Sequence, residues 1–332
     1  MTTPQGIKAV VLGGGTGIFT VLSGLKHYVN AITAVVNMVD DGGSTGVLRD
    51  ELGVLPPGDV RQCLVALSSS PEIVRELFNY RFPQGAFGGH SFGNLFLTAL
   101  EKITGSFSEA VHTAEEILHI QGKVIPVTTD NVHLCLKLKN GTVIEGQNSV
   151  DQSFFDVGDK PELFLKPAAK LNRHADTALR TADVIVLGPG NMYSSLVPTL
   201  MVDGVADALR ESKAKKMYVC NLVTKPGQTD GFFVHDFVNE IERYIGENVL
   251  DYVVYNTKKP HKELLEKYAR EGEYAVEFDS EVMQGKFYRA AGAELLADGI
   301  YQQNPDDTLL HRTLIRHDSE KLARLLFKLY FS

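Results

Sequence analysis

Residues 7–39 read IKAVVLGGGTGIFTVLSGLKHYVNAITAVVNMV. A short apolar run, IKAVVL, leads into Gly13-Gly14-Gly15-Thr16-Gly17. The helical pattern IFTVLSGLKHY follows, and then a second apolar run, ITAVVNMV, at 32–39. That order predicts one β-α-β unit. Both runs are apolar at nearly every position rather than at alternate ones, which marks strands covered on two faces, as in a parallel sheet.

The same order returns downstream. ADVIVLGPGNMYSSL (182–196) is again strand, glycine turn and helix, and KKMYVCNLVT (215–224) and LDYVVYNT (250–257) are strands that end in polar loops. Between the halves, residues 59–80, 88–103 and 106–120 carry apolar residues at helical spacing, with Pro71 suited to a first turn and Ser106 or Ser108 to a cap. CLKLKNGTVIEGQNSV (135–150) holds Asn140-Gly141 between alternating runs, the signal of a two-residue hairpin. The expected fold is therefore α/β and Rossmann-like: a mostly parallel sheet flanked by helices, with a small antiparallel β insert at about 124–170 and a final helix at about 319–331. No linker or repeat interrupts the pattern, so residues 1–332 read as one domain.

Bulk composition narrows the function. The chain has 332 residues, 44% hydrophobic and 22% charged, as in an ordinary folded protein. A net charge of −8 and a pI of about 5.7 disfavour nucleic acid and anionic membranes as partners. No stretch approaches the roughly 18 apolar residues of a membrane span, and MTTPQGIKAVVL has no signal-peptide pattern. Cys63, Cys135 and Cys220 are scattered in apolar settings, which fits buried thiols in a reducing cytoplasm and no zinc site. Cytoplasmic localisation and no membrane insertion are the expectations. Self-association is left open.

The chemistry concentrates at predicted strand ends. Gly13, Gly14, Gly15, Thr16 and Gly17 stand where a helix start presents N–H groups and positive dipole, the setting for an anion such as phosphate. The loop departs from the dinucleotide fingerprint, because Ile18 stands where a third glycine would, and it lacks the Lys of a P-loop. Asp40 and Asp41 follow the second run and precede Gly42, Gly43 and Ser44. An acid there can grip a ribose, which keeps NAD as a cofactor candidate. It can also join a Mg²⁺ ion held by ligand phosphates, with Asp41 as the metal ligand, or cap the next helix. Adjacent residues in extended chain point to opposite faces, so one acid is expected to face the cleft and the other the loop. Asp40 and Asp41 are also the candidates for a catalytic role. The second glycine loop offers Gly188, Gly190, Asn191, Tyr193, Ser194 and Ser195, and Asn221 and Thr224 follow another strand, so one converging cleft is expected. Asn94 opens a helix near His90, and Arg49 and Arg61 are phosphate or surface-pair candidates. Arg316-His317-Asp318-Ser319 either caps the last helix or faces the ligand. No G-x-S-x-G, H-E-x-x-H or paired-cysteine motif is present.

KAVVLGGGTG, VDDGGSTGVLRDELGVLPPGDVRQCLVAL, FGNL, GPGNMYSSLVP and NLVTKPGQTDGF together resemble the YvcK-like family of gluconeogenesis factors, within the wider CofD-like group of 2-phospho-L-lactate transferases. The resemblance runs from about residue 7 to residue 325. It implies a Rossmann-like core and a nucleotide-type ligand. YvcK-like proteins are associated with UDP-sugars such as UDP-N-acetylglucosamine, with growth on gluconeogenic carbon sources and with cell shape. CofD-like enzymes use a nucleotide-linked phospholactate, a metal and a deazaflavin acceptor. By motif, Gly13 to Gly17, Asp40, Asp41, Asn94, Gly188 to Asn191 and Asn221 carry over, and Arg316 to Ser319 resembles a C-terminal family motif. Ser319 stands where some relatives have threonine. In CofD-type transferases the paired acids are succeeded by residues other than the GGSTG of this chain. The expectation is thus a nucleotide-sugar-binding regulator without turnover, with a regulatory protein partner that no motif names. A metal-dependent transferase and an NAD-binding protein are the alternatives.

Overall fold

The structure, a computed structural model, describes residues 6–155, 161–297 and 314–332. Ten strands appear among them: β1 (Lys8–Gly13), β2 (Ala31–Val36), β3 (Lys123–Pro126), β4 (His133–Lys137), β5 (Val143–Glu145), β6 (Glu162–Lys166), β7 (Val184–Leu187), β8 (Lys215–Val219), β9 (Tyr252–Asn256) and β10 (Arg289–Ala293). Seven of them form a sheet in the order β10-β9-β8-β7-β1-β2-β3. Every pairing in it is parallel, with Lys8 beside Ala31 and Ala9 beside Val184. β4, β5 and β6 form a separate antiparallel sheet in the order β5-β4-β6.

The order explains the composition of the central strands. β1 lies between β2 and β7, and from Ala9 to Gly13 it is buried at every position. Helices flank the sheet. α1 (Gly15–Leu25) packs between α3 (Gly58–Leu67) and the last helix, Ser319–Tyr330, while the helices Arg173–Thr181, Val205–Glu211 and Val234–Ile245 pack in succession. One hydrophobic cluster joins sheet and helices and takes in Leu134, Leu136 and Val150 of the insert. Asp318 caps the last helix by accepting from the Lys321 N–H at 2.9 Å. That helix ends against the first residues of two strands. Lys215 Nζ donates to the Tyr330 carbonyl at 2.8 Å, and the Tyr252 hydroxyl lies 3.0 Å from Ser332 Oγ.

Three local expectations change. β2 stops at Val36, because the ladder ends where the Asn37 N–H reaches the Gly13 carbonyl at 2.9 Å; Asp40 and Asp41 therefore lie on a loop and not on a strand. Residues from 123 to 126 belong to the main sheet, so the antiparallel strands begin only at His133. The hairpin loop has three residues, not two. Leu138 and Thr142 pair across it, Gly141 takes a left-handed φ of +86°, and Asn140 Oδ1 accepts from the Thr142 N–H at 2.9 Å.

Candidate functional site

Strand order reverses at β1, which is followed in the chain by β2 on one side and flanked by the later β7 on the other. Open α/β sheets bind ligands outside the carboxyl ends of the strands at such a point. A cavity of about 390 Å³ lies there. Its wall includes Gly14, Gly15 and Gly17 after β1, Gly190, Asn191 and Ser195 after β7, Asn221 and Thr224 after β8, and Arg316. The expected cleft thus forms from three strand ends and the corner before the last helix.

Close approach of the two glycine loops sets its floor. A Cβ on Gly17 would lie 1.6 Å from the Pro189 carbonyl oxygen, so only glycine lets the first turn of α1 touch the second loop. Asn221 braces that loop, with Nδ2 donating to the Gly190 carbonyl at 2.7 Å. α1 has no acidic residue in its first turn and no side-chain cap, and its dipole points into the cavity. Arg316 and Lys225 lie in the wall, the latter paired with Asp151, and Glu273 stands there with them.

Asp59 faces this helix start, although no sequence motif singles it out. It is an early residue of α3, after Pro56-Pro57-Gly58, and it lines the cavity. A Cβ on Gly14 would stand 2.6 Å from Asp59 Oδ2. Burial pushes the Asp59 carboxyl up to about 8, and the charge of Asp40 adds to the rise, against a hydrogen bond from Asn37 and the charge of Arg61. Near neutral pH, Asp59 is therefore largely a protonated acid. It can donate a hydrogen bond to a phosphate oxygen, where a carboxylate would repel it. The only hint in the sequence is an acid in the PPGD turn.

Asp40 and Asp41 are absent from the cavity wall. They do diverge, as adjacency predicted, but neither turns to the cleft. Asp40 Oδ1 accepts from the Gly42 N–H at 3.0 Å, and its carboxyl is raised chiefly by burial. Asp41 reaches the insert: Oδ2 accepts from the Gln147 N–H at 2.8 Å and Oδ1 from the Asn148 N–H at 2.7 Å. It thereby caps the short helix Gln147–Asp151, not the helix that comes next in sequence, α2 (Gly43–Leu52). Both Asp41 oxygens are thus engaged by N–H groups of the insert. Among the described residues, no group of three or more His, Cys, Asp or Glu side chains is placed to hold a metal ion.

The other end of that short helix grips the second loop. Asp151 Oδ1 accepts from Asn191 Nδ2 at 2.6 Å and from Ser194 Oγ at 2.7 Å, and Lys225 Nζ lies 2.8 Å from Asp151 Oδ2. Burial raises the Asp151 carboxyl, but Lys225 and the two donors outweigh it and hold the acid below its ordinary range. Asn191 thus borders the cavity with its amide committed to Asp151.

The remaining candidates serve the frame. Asn94 bridges helices, accepting from Arg61 Nε at 3.0 Å and donating to Ser44 Oγ at 3.2 Å, while Ser44 Oγ lies 3.0 Å from His90 Nδ1. Arg49 and Arg61 are buried; Arg49 Nε donates to Asn131 Oδ1 at 2.9 Å, so neither the phosphate role nor a surface pair describes them. Tyr193 is fully buried beside Phe155, in a π-helical turn, Met192–Leu196. Gly13, Gly42, Gly43, Gly188 and Ser194 lie outside the wall, and the Thr16 side chain lies outside the described residues. His317 lines the cavity with Nε2 unpartnered, and burial lowers its imidazole to about 4, so it is neutral near pH 7.

The profile of the family described as "2-phospho-L-lactate transferase CofD" matches residues 9–296. The chain belongs to the CofD family. Within it, the chain is similar to the gluconeogenesis factor of Bacillus subtilis, 36% identical over 97% of this chain and 98% of that protein. It is likewise similar to the gluconeogenesis factor of Listeria innocua, 36% identical over 96% and 94%. A crystal structure of a member of the UPF0052 family from Bacillus halodurans superposes with a TM-score of 0.86, at 33% identity, over 97% of this chain and 99% of that one. The CofD-family membership and the Rossmann-like sheet agree with the resemblance carried by the glycine loops and the VDDGGSTG block.

Proposed function

We propose that this CofD-family chain is a nucleotide-sugar-binding regulator of the UDP-N-acetylglucosamine type. It serves growth on gluconeogenic carbon sources and cell shape in the cytoplasm, and it acts by binding without turnover. The carrying observation is the meeting of the two glycine loops at the start of α1, beneath a cavity walled by Lys225 and Arg316. Backbone N–H groups, a helix dipole and the Arg316 guanidinium in the wall suit a diphosphate. The names of the Bacillus and Listeria relatives support the gluconeogenic role. No helix among the described residues is long and apolar enough to cross a membrane.

Calorimetric titration with UDP-N-acetylglucosamine, UDP, GDP and NAD, each with and without Mg²⁺, tests this reading. Selective, saturable binding of the UDP-sugar with no loss of ligand on prolonged incubation is the expected result. Absence of UDP-sugar binding overturns it.

One observation favours a second reading. A carboxyl group with its proton held to about pH 8 beside a phosphate cavity is a candidate acid or base for group transfer, the chemistry named in the family description. In that case Asp59 would face the transferred group, and Mg²⁺ would be held mainly by ligand phosphates, as it commonly is. Mg²⁺-dependent appearance of a nucleotide product separates this from binding alone. NAD loses support at one point: neither acid after β2 borders the cavity to grip a ribose.

A further inference from the structure

Behind the wall that carries Arg316, a small apolar cluster stands apart from the main core. Tyr268, Leu296 and Ile315 are its buried members, and partly buried side chains, among them Leu222 and Val223, pack around them. Tyr268 comes from the helix Lys262–Arg270, and Leu222 and Val223 follow β8. Leu222, Val223 and Ile315 also line the cavity, so the cluster is the backing of its wall.

The corner 314–318 is tied down on two sides. On one side it pairs with the chain that follows β10. The Ala297 N–H donates to the Arg316 carbonyl at 3.0 Å and the Asp318 N–H to the Leu295 carbonyl at 2.7 Å, around an antiparallel bridge between Leu296 and His317. On the other side, two consecutive main-chain groups donate to one atom. The N–H of Leu314 at 2.8 Å and the N–H of Ile315 at 3.2 Å both reach the Tyr268 hydroxyl oxygen. Successive N–H groups converge on a single acceptor only where the chain bends, and the bend falls at these two residues, directly before Arg316. Burial pushes the phenol pKa up, against the two N–H donors, and the charges of Glu273 and Arg316 act on it in opposite senses. The phenol therefore lies within reach of the charged groups of the wall, although Tyr268 is itself absent from that wall. A buried N–H that loses its acceptor is costly, so removal of this oxygen would be answered by movement of the bend or by entry of water.

We propose that Tyr268 is a positioning residue for Arg316. Its hydroxyl oxygen fixes the bend at 314–315, and the bend fixes the direction in which the next residue leaves. Arg316 is thereby held toward a phosphate-bearing ligand on the glycine loops. This rests on the phosphate reading of the cavity and adds what sets the geometry of its arginine.

The test is calorimetry on the whole chain with UDP-N-acetylglucosamine and inorganic pyrophosphate, for the parent protein, Tyr268→Phe, Arg316→Ala and the double variant. Tyr268→Phe deletes one oxygen and keeps the ring, so the small cluster stays filled. Arg316→Ala should weaken both ligands about tenfold or more, the scale of one hydrogen bond to a charged group, and Tyr268→Phe at least about threefold. In the double variant the loss should equal that of Arg316→Ala alone, because Tyr268 acts only through that side chain. A general loosening of the fold would add its own loss instead. Hydrogen exchange at the Leu314 and Ile315 amides should quicken in Tyr268→Phe. The proposal falls if either single variant binds as tightly as the parent, if the two losses multiply in the double variant, or if exchange at those amides is unchanged. A parent that binds pyrophosphate but not the UDP-sugar removes the regulator reading alone, and the four proteins are then compared with pyrophosphate. A parent that binds neither removes the phosphate reading, and this inference with it.

Discussion

The carboxyl group of Asp59 stands against the backbone of Gly14, 2.6 Å from where a Cβ would project. Its raised pKa of about 8 couples ligand affinity to pH. Below that value the neutral acid can donate to a phosphate oxygen, and above it a carboxylate would repel one. Affinity for a nucleoside diphosphate should fall as pH rises from 7 to 9 in the parent and stay level in Asp59→Asn. Titrations at fixed ionic strength across that range measure it.

The same proton links Asp59 to stability. Its folded pKa of about 8 lies above the ordinary 3.8, so between those values the folded chain holds a proton that the unfolded chain has lost. Stability from this group is therefore complete below about pH 4 and declines as pH rises toward 8. Asp59→Asn should flatten that limb in urea unfolding curves. His317 works in the opposite sense. Its folded value of about 4 lies below 6.5, so it costs stability as pH falls through that window, and His317→Gln should flatten the acid side instead.

Replacing Asp41 with Asn should leave ligand affinity unchanged, because the carboxylate caps the insert helix and does not border the cavity. The cost should be about 1–2 kcal/mol in folding stability, from weakened bonds to a charged acceptor. Faster hydrogen exchange at the Gln147 and Asn148 amides is the specific sign. A large loss of affinity with normal exchange would return Asp41 to the ligand.

Asp151→Ala should cost about 3 kcal/mol, because it strands Lys225 in a largely buried position and releases Asn191 and Ser194. Shifted urea midpoints would show it. Weaker nucleotide binding should accompany it, since the second glycine loop loses its tie to the insert.

Gly17→Ala places a methyl group 1.6 Å from the Pro189 oxygen, and main chain cannot yield as a side-chain tip can. The loops must part. Destabilisation of about 3 kcal/mol, the upper range for overpacking, and loss of nucleotide binding are the expected outcome in thermal unfolding and titration.

The strands at the heart of the sheet were readable because the central positions of β1, β2, β7, β8 and β9 are buried and almost all apolar. The edges were not. β10 is RAAGA, mostly exposed and made of poor strand formers, and nothing in its composition separates it from a loop. Gly14, Gly17, Gly190, Asn221 and Thr224 come to one cavity because strand-end loops in a parallel sheet converge by topology. Asp59 escaped because its place beside Gly14 depends on how α3 packs on α1, a contact that local pattern does not encode. The roles of Asp41 and Asp151 depend on where the insert docks, and the sequence carries no period for that.

The tie between Ser332 and the first residue of β9 has a practical side. The cavity opens at the carboxyl ends of the strands, whereas Tyr252 and Lys215 stand at the opposite ends. A tether attached at Ser332 therefore leads away from the ligand face. Protein immobilised there on a sensor chip would present its cavity to the flowing solution, and one attachment chemistry would serve every variant compared above.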